Sequence, residues 1–217
     1  MNELKKASRL LVACAGVLVG CSASSAVADT VCAWNFNHEI ENRFVYKADH
    51  GIGSIDASAS SEWLRSYSGT ELGAHSGDEA GLSLGMRGDS ANGSGFELTF
   101  SARGAHSLQF AYRSSATGFH ESEVQRLTSD GWKLIAAFGD SQTASAWTMI
   151  TVPLGDLDGD TKLRLVLGGA SSSGSTVRFD NMKVVSVPAP ASVIALGELG
   201  MCGLRGRRGP GSSHHEE

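Results

Sequence analysis

Proline is scarce in this chain, with 4 in 217 residues, and 41% of the residues are hydrophobic. That combination excludes a collagen-like or low-complexity polymer. Long apolar runs are missing too. None reaches the ~20 residues that a helix needs to cross a bilayer, which excludes a polytopic membrane protein. Cysteine is nearly absent from the middle of the chain. Of 4 in total, Cys14, Cys21 and Cys202 lie near the ends, so Cys32 has no internal disulfide partner. Cys32 also lacks a basic neighbour in sequence and reads as a small buried hydrophobe. Excess positive charge is lacking, with a net charge of −5 and a pI near 5.8. Between Asp29 and Ser192 there are 12 Lys+Arg against 19 Asp+Glu. An acidic domain of this kind disfavours nucleic acid as a partner. No His-Glu-x-x-His pair or phosphate-binding loop occurs. The expectation is a protein without enzymatic activity.

Glycine, by contrast, is abundant at 27. Period-two alternation recurs in Phe96–Phe100, Leu108–Tyr112, Lys162–Leu167 and Val177–Phe179, which predicts strands with one buried face. Turn signals punctuate them at Asn92-Gly93, Arg103-Gly104, Asp130-Gly131, Asp158-Gly159 and Ser171–Gly174. Asp130-Gly131 between Val124–Thr128 and Trp132–Phe138 predicts a hairpin. No helix-period segment intervenes, so the domain is expected to be an antiparallel sandwich or barrel spanning residues 29–186. Residues 48–68 read as a loop with a short strand or turn. In the strand holding Glu121, Glu123 and Gln125 on one face and Val124 and Arg126 on the other, either face can be the buried one.

The ends differ in kind. Lys5, Lys6 and Arg9 precede an eleven-residue apolar segment, Leu10 to Gly20. This is the layout of an export signal over residues 1–28. Cleavage after Ala28 would leave Asp29 first; Leu18–Cys21 offers the alternative of a lipobox with a lipidated Cys21. At the other end, Val187-Pro188-Ala189-Pro190-Ala191-Ser192 leads into the apolar segment Val193–Leu204. The basic cluster of Arg205, Arg207 and Arg208 follows. Arginines after an apolar segment hold that end in the cytoplasm during export. The order resembles the PEP-CTERM sorting tail over residues 187–208, with residues 209–217 as a disordered end. That resemblance implies exosortase as the processing partner, transient membrane association, and a bacterial cell-surface or extracellular destination.

The resemblance extends inward. Ala33-Trp34-Asn35-Phe36-Asn37, Phe110–Phe119, Ser129-Asp130-Gly131-Trp132 and Arg178–Val184 are similar to segments of secreted PEP-CTERM proteins. They imply a jelly-roll, concanavalin-A-like sandwich, built like carbohydrate-binding modules. The function expected is that of an exported, non-enzymatic surface or matrix protein. The alternative is a module binding extracellular polysaccharide.

Candidate chemistry is sparse. Asp156, Asp158 and Asp160 alternate as calcium ligands can. However, Thr161 and Leu167 stand where a calcium loop of the EF-hand kind needs glycine and glutamate, so an acidic turn is expected. Related sandwiches suggest calcium between Asp180-Asn181 and Asn37 or Glu39; a polar pair at a strand bend is the other reading. Glu121 and Glu123 sit ~7 Å apart on a strand face, as glycosidase carboxylates do. Their surroundings depart from the glucanase Glu-x-Asp-x-x-Glu pattern, so a degenerate hydrolase is the weakest reading. His38, His50, His75, His106 and His120 show no metal-ligand spacing. No metal or other cofactor is therefore assigned. Among Trp34, Trp63, Trp132 and Trp147, Trp63 is the candidate for stacking on a sugar, because its segment reads as a loop.

Overall fold

The computed structural model describes residues 28–38, 44–139 and 145–188. The expected export segment up to Val27, with Cys21, lies outside the described residues. So do Glu39, the sorting tail from Ala189 through Arg208, and residues 209–217. Of the predicted processing sites, Ala28, Asp29, Val187 and Pro188 are described.

Among the described residues, the domain has eleven strands: β1 (Thr30–Trp34), β2 (Val45–Lys47), β3 (His50–Gly51), β4 (Gly53–Asp56), β5 (Leu64–Ser68), β6 (Leu82–Arg87), β7 (Gly95–Ser114), β8 (Ser122–Thr128), β9 (Gly131–Phe138), β10 (Thr148–Val166) and β11 (Thr176–Ser186). Short 3-10 turns lie at Ser58–Ser60 and Asp89–Ala91. All pairings are antiparallel, along the path β3-β1-β11-β7-β10-β8-β9. The expected all-β, antiparallel sandwich is what the chain adopts.

Its construction corrects the expected strand boundaries. Arg103-Gly104 and Asp158-Gly159 do not reverse the chain. Arg103 lies opposite Asp158, and Gly104 opposite Leu157, inside one long ladder between β7 and β10. Gly104 and Gly159 have φ of 92° and 103°. Such backbone favours glycine, and here it bends both strands together. The predicted strands Phe96–Phe100 and Leu108–Tyr112 therefore fuse into one of 20 residues, and the predicted strand beginning at Lys162 is continuous across Gly159 in one of 19. The acidic turn expected at Asp156–Asp160 is part of β10. Residues 48–68 are also more regular than expected, holding β3, β4 and β5.

Because β7 and β10 run through both halves, one sheet folds over itself. The first half of β7 and the second half of β10 join β4 and β8, and hence β2 and β9, in one layer. The other halves join β11, flanked by β1 and by β6-β5, in the second. Rings fill the space between. Phe138 of β9 meets Phe110 and Tyr112 of β7 at centroid distances of 5.3 and 5.4 Å, and Phe96 meets Phe179 of β11 at 5.1 Å. Edge-on pairs of this kind add to area burial. Leu163, Leu165 and Leu167 alternate inward and are fully buried, each removal from water contributing about 1.5–3 kcal/mol. Val124 and Arg126 sit opposite Leu165 and Leu163, so theirs is the inward face and Glu123 and Gln125 face out. The predicted hairpin forms, with Thr128 opposite Gly131. Cys32 is buried, and burial pushes its thiol up to about 12.

Candidate functional site

The outward face of the first layer carries a cross-strand row that no single segment reveals. Val45, Asp56, Glu97, Arg164, Gln125 and Leu134 are successive partners across β2, β4, β7, β10, β8 and β9. Alternation puts them all outside, because their neighbours Ile55, Leu98, Leu163 and Leu165 fill the core. Glu97 and Arg164 are then directly opposed charges of opposite sign, a favourable pair on a sheet face, while Asp56 faces Glu97 from the other side. Glu97 pairs with Lys162 at 2.5 Å. The Arg164 guanidinium lies 4.4 Å from the centre of the Trp132 ring. Its Nε donates to Gln125 Oε1 (2.8 Å), and Gln125 Nε2 donates to Glu123 Oε2 (2.5 Å). The Arg164 side chain is thus fixed from below and from one side. Among the described residues, neither of its terminal Nη atoms has a hydrogen-bond partner.

Where this row meets the Ser58–Ser60 turn and the Asn92–Gly95 loop, a cleft of about 660 Å³ opens. Its walls are Trp63, Asp56, Ser58, Asn92, Glu97 and Arg164, with Ser60, Ser94 and Val166 below. Several of these polar groups are consumed in building it. Asn92 exchanges two hydrogen bonds with the backbone of Ala170, at 2.8 and 2.9 Å. Ser60 Oγ donates to Gly95 O and accepts from Gly95 N. Ser94 Oγ donates to Ala91 O. Trp63 is half-buried, its ring packed against the core edge and its Nε1 donating to Ser90 Oγ at 3.1 Å. The other side chains lining the cleft are the Trp63 indole, the Asp56 carboxylate, the Lys162-paired Glu97 carboxylate and the Arg164 fork. Hydrogen bonds from Ser58, hydroxyl first and backbone N–H second, hold Asp56 below the usual carboxylate range. A few polar groups around an apolar wall in a cleft of this size is the usual make-up of a small-ligand site.

The other predicted residues are dispersed. Trp34 is buried, with Nε1 donating to Tyr46 O, and Trp147 is half-buried. Glu121 precedes β8, and Glu123 is bonded into the Gln125–Arg164 ladder. Asp158 meets only the exposed Arg103, at 3.9 Å. Asp180 and Asn181 do occupy a strand irregularity, with Asn181 at φ 47°. Their role is to hold a loop. Asp180 Oδ2 accepts from Thr70 N (2.6 Å), and Asn181 Nδ2 donates to Thr70 O and Leu72 O. Asn37 turns elsewhere, accepting from Leu82 N and donating to Glu79 O. Glu39, the other partner considered for calcium, lies outside the described residues, and among those described no group of three His, Cys, Asp or Glu is placed to hold a metal. Folding also joins side chains that sequence spacing kept apart. The His50 and His75 rings lie 4.0 Å apart, with His50 Nε2 3.5 Å from Asp78. A second cleft of about 470 Å³, beside Phe36, Tyr46 and Leu82, is walled by His38 and Phe44, which flank residues outside the described set.

Sequence reasoning named Trp63, which lines this cleft, but did not single out Arg164, Asp56 or Glu97, nor the contact of Trp132 with Arg164. Each is an ordinary residue on a strand, and only register brings them together.

No protein-family model and no curated protein matches this chain. Among solved structures, it is similar in fold to the CBM22-1 xylan-binding domain of Paenibacillus barcinonensis Xyn10C. The identity is 13% and the TM-score 0.44, with 77% of this chain and 100% of that one covered. The K1 cleaved adhesin domain of Lys-gingipain from Porphyromonas gingivalis W83 gives 9% identity and a TM-score of 0.44, covering 72% and 98%. TmCBM61, solved with β-1,4-galactotriose, gives 12% identity and a TM-score of 0.34, covering 61% and 85%.

Proposed function

We propose that this domain binds carbohydrate, without catalysis, in the cleft bounded by Trp63. The observation that carries the reading is the cleft itself. It sets the half-buried Trp63 indole beside an Asp56–Glu97–Arg164 row in which the Arg164 Nη atoms have no hydrogen-bond partner among the described residues. An aromatic face suits the apolar face of a pyranose ring, while a carboxylate and a guanidinium match its hydroxyls. The test is affinity electrophoresis in soluble neutral polysaccharides, with pull-down on insoluble ones. Trp63→Ala should weaken retention about ten-fold or more, and Trp63→Phe should retain most of it. Retention untouched by Trp63→Ala would sink the proposal.

The protein's route is the second part of the reading. We infer export, with cleavage after Ala28 and removal of the tail from VPAPAS onward by exosortase. The support is geometric. Asp29 N donates to Ser186 Oγ and Ser186 N to Asp29 O, each at 2.8 Å, while Val187 N donates to Ala105 O at 2.8 Å. The ladder therefore closes at Val187, where the sorting motif begins. Intact mass of the chain from its host's surface fraction is the test.

A further inference from the structure

The domain is acidic, yet its second layer gathers arginines on its outward face. Arg65 of β5 lies opposite Gly85 of β6, Gly85 opposite Arg178 of β11, and Arg178 opposite Arg113 of β7. Arg87 stands two residues beyond Gly85 on the same face. Strand spacing sets the row from Arg65 to Arg113 at about 14 Å. Directly opposed like charges such as Arg178 and Arg113 destabilise a sheet unless something neutralises them. Among the described residues no carboxylate lies within ion-pair distance of any of the four. Asp180 shares the face, but its oxygens accept from Thr70 N and Asn181 N. Glu62 offers Arg65 only its backbone carbonyl. Burial, and after it the charge of Arg113, holds Arg178 below the usual arginine range.

The row also has a built floor. A Cβ at Gly85 would fall 2.5 Å from the Tyr67 ring. Glycine therefore lets that ring lie across the sheet, where the Arg178 guanidinium covers it at 4.4 Å from its centre. The stack holds the fork in place and leaves its edge free for planar, bidentate acceptors.

We propose that this Arg65–Arg178–Arg113 face, with Arg87, is a second binding site, separate from the Trp63 cleft, for a polysaccharide bearing carboxylate groups. Charge density selects the ligand class. Duplex DNA carries a charge every ~1.7 Å and anionic membranes form dense sheets of charge, both repelled by the domain's net negative field. A polyuronate carries its carboxylates sparsely, one per sugar. Each can meet an arginine fork, and the Tyr67 ring offers an aromatic face beside them.

The experiment is affinity electrophoresis of the full chain in polygalacturonate at low ionic strength, with dextran as the neutral control. Retardation by polygalacturonate, relieved by 0.5 M salt, is expected, because the contacts are at the surface. Arg113→Gln with Arg178→Gln should weaken it about ten-fold or more. Arg65→Gln with Arg87→Gln, both exposed positions that leave the fold alone, should weaken it several-fold. Trp63→Ala should leave it unchanged, which separates this site from the cleft. Lys133→Gln, removing one positive charge from the first layer, should also leave it unchanged. Without ligand, the Arg113/Arg178 double variant should melt no lower than the wild type. The proposal is overturned by absence of retardation or by equal loss in Lys133→Gln. It is equally overturned by retention in both double variants, or by tighter binding to a single-stranded oligonucleotide or phosphatidylglycerol vesicles.

Discussion

Asp180 shows what a single buried group contributes and how its sign is worked out. Burial raises its carboxyl to about 6, against which the N–H groups of Thr70 and Asn181 pull down. The folded state thus holds the proton more tightly than the unfolded chain, whose value is near 3.9. Stability from this group is fully present below about pH 4 and is lost as pH rises through 6. The loss is on the order of 3 kcal/mol once the group is ionised. Wild type should therefore lose stability relative to Asp180→Asn between pH 4 and 7.5, in melting curves of both. A constant difference across that range would remove Asp180 as the cause. Sequence showed this residue as one of two polar neighbours in a strand, but not that a loop 110 residues away would bury it. Cys32, by contrast, was legible, since an uncharged thiol inside a hydrophobic stretch needs no distant partner to be buried.

At the scale of elements, the hairpin β8–β9 was readable because a local turn sets its register. The long strands were not, because a glycine with positive φ reads alike in a turn and in a bend. What separates the two is the partner, since Gly104 and Gly159 stand nearly opposite each other in the β7–β10 ladder. Their function is to carry both strands from one layer to the other. No atom lies within 4 Å of a Cβ placed at Gly159, so a side chain there meets only backbone strain. Gly159→Ala should cost about 1–2 kcal/mol by the left-handed penalty. Gly174→Ala, with ordinary φ and its nearest contact at 3.6 Å, should be close to neutral. Urea midpoints of the two variants provide the comparison. Equal midpoints would mean that the bend is relieved by movement of the ladder. The cleft inherits this dependence, because Glu97 and Arg164 sit on the first-layer halves of the same two strands.

For the whole molecule, the decisive fact is where the last strand lies. β11 is central, with β1 and β6 on one side and β7 on the other. The second layer cannot complete until the chain through Val187 is available, and the β1–β11 closure joins residues about 150 positions apart, the kind of contact that forms slowly. An exported chain folding this way must be across the membrane up to Val187 before it is stable. A processing enzyme that acts from Pro188 onward then meets a finished domain. Pro188 has no N–H to continue the ladder. Because Asp29 and Ser186 are hydrogen-bonded neighbours, both cuts would free the same end of the sandwich and leave the Trp63 cleft and the arginine face intact. The intact mass should accordingly place the N-terminus at Asp29 and the C-terminus between Pro188 and Ser192. A terminus inside β11 would mean the cut domain had lost its central strand. A lipidated Cys21 with Arg205, Arg207 and Arg208 retained would mean a lipoprotein instead, and sorting by the tail would be wrong.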